Sequence, residues 1–242
     1  CSMNLIVDIG NTSTKLAVYE GREKISVSRI NDLSCEELEK ELSGIKIKKA
    51  IISSVKKLPP FISDLLFAKI PFVHVLSHKS KLPFKIEYET PKTLGTDRIA
   101  AVAGAFSHFP GAQTLIIDAG TAITYDFFMS GTFKGGNISP GLTMRFKALN
   151  MLTDGLPLVS TSDNYSFPGR NTTDAIIAGV ITGVTYEINE YIRTFKKKNT
   201  DLEIILTGGD GEYLKDKINF QITYMPDIVT DGLNYILEYN AI

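Results

Sequence analysis

The chain has 242 residues, 43% of them hydrophobic and 22% charged, and its formal net charge is -1. This is ordinary globular composition in a length that suits one large domain or two lobes, which excludes a disordered tail, a collagen-like rod and a small disulfide scaffold. The 26 basic and 27 acidic side chains leave no basic excess, so no nucleic-acid partner is expected.

In chain order, Leu5–Gly10 reads as a buried strand ending in a turn, followed by a second strand over Lys15–Tyr19. Ser34–Leu42 has helical spacing, with Ser34 as N-cap and Glu36 and Glu37 in the first turn. Lys49–Val55 and Phe72–Leu76 are strand candidates, and Asp97–Phe109 is an alanine-rich apolar helix. Leu115–Gly120 repeats the opening strand, and Thr124–Phe128 repeats its partner. A long helix spans Asn171–Lys198, capped by Asn171 or Thr172. Lys196–Lys198 then reads as its solvated end. Leu202–Leu206 is a strand running into Thr207-Gly208-Gly209, and Asp231–Tyr239 closes the chain as a short helix.

The two similar strands carry matched landmarks. Leu5, Ile6, Asp8, Gly10 and Thr14 lie 110 positions before Leu115, Ile116, Asp118, Gly120 and Thr124. A repeat near half the chain length predicts duplication of one unit, with a boundary near Phe109-Pro110-Gly111-Ala112. Strands alternating with helices predict an α/β fold. The expected domains are therefore residues 1–110 and 111–242.

Asp8-Ile9-Gly10-Asn11-Thr12 suits a phosphate-binding turn. Glycine lets backbone approach an anion, exposed amides form a nest, and Lys15 can add positive charge. Asp8 would then hold Mg2+ or its waters rather than the phosphate. The same residues also make an ordinary hairpin bend. Asp118-Ala119-Gly120-Thr121-Ala122 repeats the pattern, and two such turns predict a nucleotide held in a cleft between lobes. Neither GxxxxGK[ST] nor GxGxxG occurs, which disfavours the common nucleotide fingerprints.

Gly95-Thr96-Asp97-Arg98 stands just before the apolar helix. Thr96 can cap that helix and Asp97 can serve its positive end. Alternatively, Asp97 is a general base and Arg98 grips an anionic substrate. Gly135–Gly141 is a Gly/Pro-rich loop that permits ligand approach or makes a tight connection. Thr207-Gly208-Gly209 packs against a base or ribose, or starts a helix. Cys1 and Cys35 cannot build a disulfide framework, and His74, His78 and His108 show no zinc-ligand spacing. With no signal peptide and no run of roughly 18–20 apolar residues, a cytoplasmic protein without membrane partners is expected. Cys1 and Ser2 read as residues added ahead of a natural start at Met3.

Together these motifs resemble the acetate-and-sugar-kinase/actin superfamily and, more narrowly, the type III pantothenate kinases. The resemblance spans nearly all of Met3 to Ile242. It rests on the Asp8 and Asp118 turns, Tyr88, Gly95–Arg98, Gly135–Gly141, Asn171-Thr172 and Thr207-Gly208-Gly209. It implies an α/β fold of two duplicated ribonuclease H-like lobes. The implied activity is ATP-dependent phosphorylation of pantothenate to 4'-phosphopantothenate, the first step of coenzyme A synthesis.

Carried onto this sequence, the resemblance gives Asp8, Gly10, Asn11, Thr12, Ser13, Thr14, Lys15 and Thr121 to ATP and its Mg2+. Asp97 becomes the proton acceptor. Tyr88, Gly95, Thr96, Arg98 and Thr172 become pantothenate contacts, with Asp97 facing the hydroxyl. Asp118 marks a monovalent-cation site for K+ or NH4+. A homodimer is implied, with Thr172 acting across its interface. Two other readings of the same fold are a kinase for another small hydroxyl substrate and a non-catalytic accessory factor in transcription.

Overall fold

The computed structural model describes residues 3–31 and 33–241. The chain forms two compact units. The first holds the described residues up to Gly111, with Gly131–Lys134 and those from Asp227 onward; the second holds Ala112–Ser130 and Gly135–Pro226.

The first unit begins with β1 (Met3–Ile9), β2 (Thr14–Glu20) and β3 (Glu23–Ile30), then α1 (Cys35–Leu42), β4 (Ile47–Ser54), α2 (Pro60–Lys69) and β5 (Phe72–Val75). Its sheet has the order β3-β2-β1-β4-β5. β1 is antiparallel to β2 and parallel to β4. Central strands buried on both faces read as apolar runs, and Leu5, Ile6, Val7, Ala50, Ile51 and Ile52 are all buried. α1 starts with the expected cap: Ser34 accepts from Glu37 N–H while the Glu37 side chain reaches back to Ser34 N–H. β3 and α2 were not legible in advance. β3 is an edge strand whose apolar residues Ile25 and Val27 are exposed, and α2 starts without a side-chain cap, on Pro60 at its first turn.

β6 (Lys85–Ile86) precedes α3 (Thr96–His108). The cap of α3 is Gly95, and no side chain caps it. The Thr96 hydroxyl is instead hydrogen-bonded to Ser53 and the Ser54 carbonyl. The second unit contains β7 (Thr114–Ala119), β8 (Ala122–Met129), most of β9 (Thr132–Pro140), α4 (Leu142–Met151), α5 (Thr172–Lys196), β10 (Glu203–Thr207), α6 (Gly211–Leu214) and β11 (Thr223–Tyr224). Its strands run β11-β10-β7-β8-β9. β7 is antiparallel to β8 and parallel to β10. Read from the opposite edge, this is the connectivity of the first sheet, so the duplication seen in sequence is a duplication of topology.

The repeat fails in one detail. Ile9 pairs with Thr14, whereas Ala119 pairs with Ile123, so the first turn is one residue longer. Thr14 and Thr124, matched by offset, are therefore not structurally equivalent. The segment expected as a Gly/Pro loop is also different: Gly135–Pro140 continues β9, because pairing within the sheet overrides the breaker residues.

α7 (Ile228–Asn240) belongs to the first unit, not to a contiguous second half. The reason is a close crossing with α3. A Cβ at Gly232 would stand 1.8 Å from the Ala100 carbonyl oxygen, and one at Gly104 would stand 2.2 Å from that of Ile228. Only glycine permits this approach. Asn4 ties β1 to the same helix through Asn234 and Glu238. Among the described residues, no helix is long and apolar enough to cross a membrane.

Candidate active site

The first turn closes through Gly10 N–H to the Ser13 carbonyl at 3.0 Å, with Asn11 and Thr12 exposed. Asp8 sits at the end of β1, opposite Lys15 on β2 and Ser53 on β4. Ser53 was missed by sequence reading, yet it links the cluster: its hydroxyl is hydrogen-bonded to Asp8 and to Thr96. Burial pushes the Asp8 pKa up to about 6, and the Asp97 charge adds to the rise against the hydrogen bond from Ser53 and the charges of Lys15 and Arg29. The structure therefore brings Asp8, Thr96 and Asp97 together within the first unit.

Such a pair suits a cation. Mg2+ takes one or two carboxylates and completes its shell with water and substrate phosphates. Among the described residues, no group of three or more acidic, histidine or cysteine side chains could hold a metal alone. The donors present fit a metal that arrives with a phosphate ligand.

Asp97 lies in the first turn of α3, where its Oδ1 accepts from Arg98 N–H at 2.8 Å. Gly95 makes room, since a Cβ there would stand 2.4 Å from this oxygen. Arg98 is turned inward and only 5% exposed. Its guanidinium lies 5.7 Å from the Tyr88 ring centre and 5.8 Å from that of Phe133. Tyr88 and Phe133 are stacked, 6.4 Å apart with 4° between planes. Tyr88 and Arg98 thus lie against one another, and Phe133 is a neighbour of both that sequence reading did not find. Lys15 reaches Asp227 at 3.1 Å, and Lys24 reaches the other oxygen of Asp227 at 2.5 Å. A phosphate at the first turn would share Lys15 with this carboxylate. Burial raises the Asp227 pKa, but Lys24 and Lys15 outweigh it and hold the carboxyl below its usual range.

In the second unit, Asp118 is the penultimate residue of β7 and the turn closes through Gly120 N–H to the Ala122 carbonyl at 3.1 Å, with Thr121 exposed. Gly208, at φ +93°, packs on this turn: a Cβ would lie 2.4 Å from the Ala119 carbonyl and 2.5 Å from Asp118 Oδ1. Thr207–Gly209 is thus a close-packed turn that leads into α6. Thr172 begins α5, whose N-cap is Asn171, accepting from Asp174 N–H at 2.9 Å. It lines an open groove of about 800 Å³ with Arg145, Arg170 and Ile176.

The family model of type III pantothenate kinase matches residues 4–194. A Phocaeicola vulgatus type III pantothenate kinase is 44% identical over 240 residues, covering 98% of this chain and 99% of its own. One from Porphyromonas gingivalis is 41% identical over 245 residues, covering 99% and 100%. Among solved structures, a Campylobacter jejuni protein assigned to the Baf family of transcriptional activators superposes with a TM-score of 0.61 at 24% identity, covering 98% of each chain. A Listeria monocytogenes protein described as an N-acetylmannosamine kinase gives 0.58 at 12% identity, covering 99% of this chain and 100% of that one. These structural likenesses support the fold of two ribonuclease H-like lobes. With a family model matching most of its length and sequence identity of this level over almost the whole chain, the chain belongs to the type III pantothenate kinases.

Proposed function

We infer that this protein transfers the γ-phosphoryl group of ATP to the primary hydroxyl of pantothenate. The product is 4'-phosphopantothenate, and the reaction opens coenzyme A synthesis. The observation that carries the reading is the meeting of Asp8, Ser53, Thr96 and Asp97 in a chain of this family.

Phosphoryl transfer asks a protein chiefly for positioning and charge compensation. The exposed part of the first turn, at Asn11 and Thr12, and the Lys15 ammonium would receive the phosphates. When bound, Mg2+ would supply positive charge toward the transferring group, with Asp8 holding it directly or through water. Asp97 would orient the hydroxyl and take its proton late in the transfer. Because Oδ1 is held by Arg98 N–H, Oδ2 is the oxygen assigned to that proton. Tyr88, Gly95, Thr96 and Arg98 would frame pantothenate, with Arg98 acting from its buried place against the Tyr88 ring.

Thr121 is assigned to ATP, and Asp118 to a monovalent cation, K+ or NH4+, whose fixed charge would add to the stabilisation. A homodimer is proposed, with Thr172 reaching the partner's substrate. Its support is the apolar surface of the second unit, where Met151, Leu152, Leu158 and Phe167 are 77%, 82%, 60% and 67% exposed. A monomer by sedimentation velocity would count against it. The functional reading is tested by ADP release from ATP and Mg2+, with and without pantothenate, in K+ and then Na+ buffer. Release that depends on pantothenate and needs K+ supports it; release indifferent to pantothenate removes that substrate.

A further inference from the structure

Arg145 and Glu187 stand outside every motif described so far, yet they close a ring of contacts around the second turn. Gly141 N–H donates to the Thr121 carbonyl at 3.1 Å. A Cβ at Gly141 would stand 2.2 Å from the Gly120 carbonyl oxygen and 2.6 Å from that of Thr121, so this segment lies directly on the turn. Arg145, one turn into α4, holds the residues just before Gly141: its Nε donates to the Pro140 carbonyl and its Nη2 to Ser139 Oγ, both at 2.8 Å. The same Nη2 donates to Glu187 Oε2 on α5 at 2.5 Å. Glu187 Oε1 accepts from the Tyr125 hydroxyl at 2.8 Å. Tyr125 lies on β8, the strand that leaves the turn, and stacks on Tyr191 at 3.9 Å. The ring runs from the turn through Gly141, Arg145, Glu187 and Tyr125 back to the turn's own strand.

A peptide unit is planar, so a hydrogen bond to the Thr121 carbonyl also sets the direction of the N–H that follows it. We propose that Arg145 and Glu187 are positioning residues that hold the Thr121–Ala122 peptide in the orientation needed to receive ATP. This rests on the assignment of that turn to ATP. The ion pair is about one quarter exposed at each partner, so geometry rather than bulk attraction is its contribution. Burial raises the Glu187 pKa, but hydrogen bonds from Arg145, Ser139 and Tyr125 outweigh it and keep the carboxyl ionised at neutral pH.

The test compares Arg145→Lys, Glu187→Gln, the milder Tyr125→Phe and a turn variant, Thr121→Ala, by steady-state kinetics against each substrate. Arg145→Lys and Glu187→Gln are expected to raise the ATP KM about tenfold, the effect of losing a charge-assisted hydrogen bond. The pantothenate KM stays within about twofold, and the double variant is no worse than either single one. Should either single variant fail to fold, Tyr125→Phe decides, with a smaller rise in the same KM. If Thr121→Ala raises the ATP KM while Arg145, Glu187 and Tyr125 variants leave it alone, the brace is overturned and the turn assignment stands. If none of the four changes the ATP KM, the turn assignment falls and takes the brace with it. A rise confined to the pantothenate KM also overturns the brace.

Discussion

Gly95 and Asp97 share one small space: a methyl group on Gly95 would stand 2.4 Å from the Asp97 carboxylate oxygen that accepts from Arg98 N–H. The glycine is therefore part of how the proposed base is aimed. Gly95→Ala is expected to turn the carboxylate aside and lower kcat by roughly 10- to 100-fold, because misplacement of about 1 Å is costly in positioned chemistry. The fold should persist, since Gly95 caps α3 without a side chain. Steady-state kinetics with a circular dichroism melt checks this; an unchanged kcat would detach Gly95 from the aim of Asp97.

Asp118 gives a second prediction. Asp118→Asn should weaken activation by K+, raising the K+ concentration for half-maximal rate by about tenfold, as expected when a charged partner is lost. Titration of K+ at constant ionic strength measures it. An unaltered K+ response removes Asp118 from that role.

Asp227 predicts a pH dependence of stability. Its folded pKa lies below the unfolded value of about 3.9. Its contribution is thus fully present above that value and is lost as pH falls through the folded pKa. Asp227→Asn should cost about 1 kcal/mol at pH 7, the size of a partly exposed ion pair, with a smaller difference at pH 3. Urea unfolding at both pH values measures it, and an equal difference at both would contradict the pairing.

The α3–α7 crossing gives a fourth. Gly232→Ala forces a methyl group against the Ala100 carbonyl at 1.8 Å. Overpacking of this kind costs about 3 kcal/mol, or about 6–12 °C of melting temperature in a chain of this size. An unchanged melting temperature would mean the crossing yields more easily than the contact implies.

The sequence was legible where function sits on local chemistry. Asp8-Ile9-Gly10 and Asp118-Ala119-Gly120 announce strand ends and turns by residue type, and both fall where expected. Ser34 announces a helix start in the same way and caps as read, and of the two candidates Asn171 and Thr172 it is Asn171 that caps α5. What was missed depends on distant partners. Nothing near Ser53, Phe133 or Asp227 marks them as neighbours of Thr96, Arg98 and Lys15; the sheet and helix packing alone bring them there. Gly135–Pro140 misled because breaker residues outweighed a pairing partner that local sequence cannot show. The role of Gly232 is hidden for the same reason, since its need for glycine comes from Ala100 and Gly104 on another helix.

Phosphorylation of pantothenate with Asp97 as proton acceptor can be followed at the phosphorus atom itself. The most direct measurement is 31P NMR of the reaction of ATP, Mg2+ and pantothenate in K+ buffer, run with the unaltered protein and with Asp97→Asn. A new phosphomonoester on the primary hydroxyl is expected with the unaltered protein, and a rate at least about 100-fold lower with Asp97→Asn. No phosphomonoester from the unaltered protein, or equal rates from both, would contradict it.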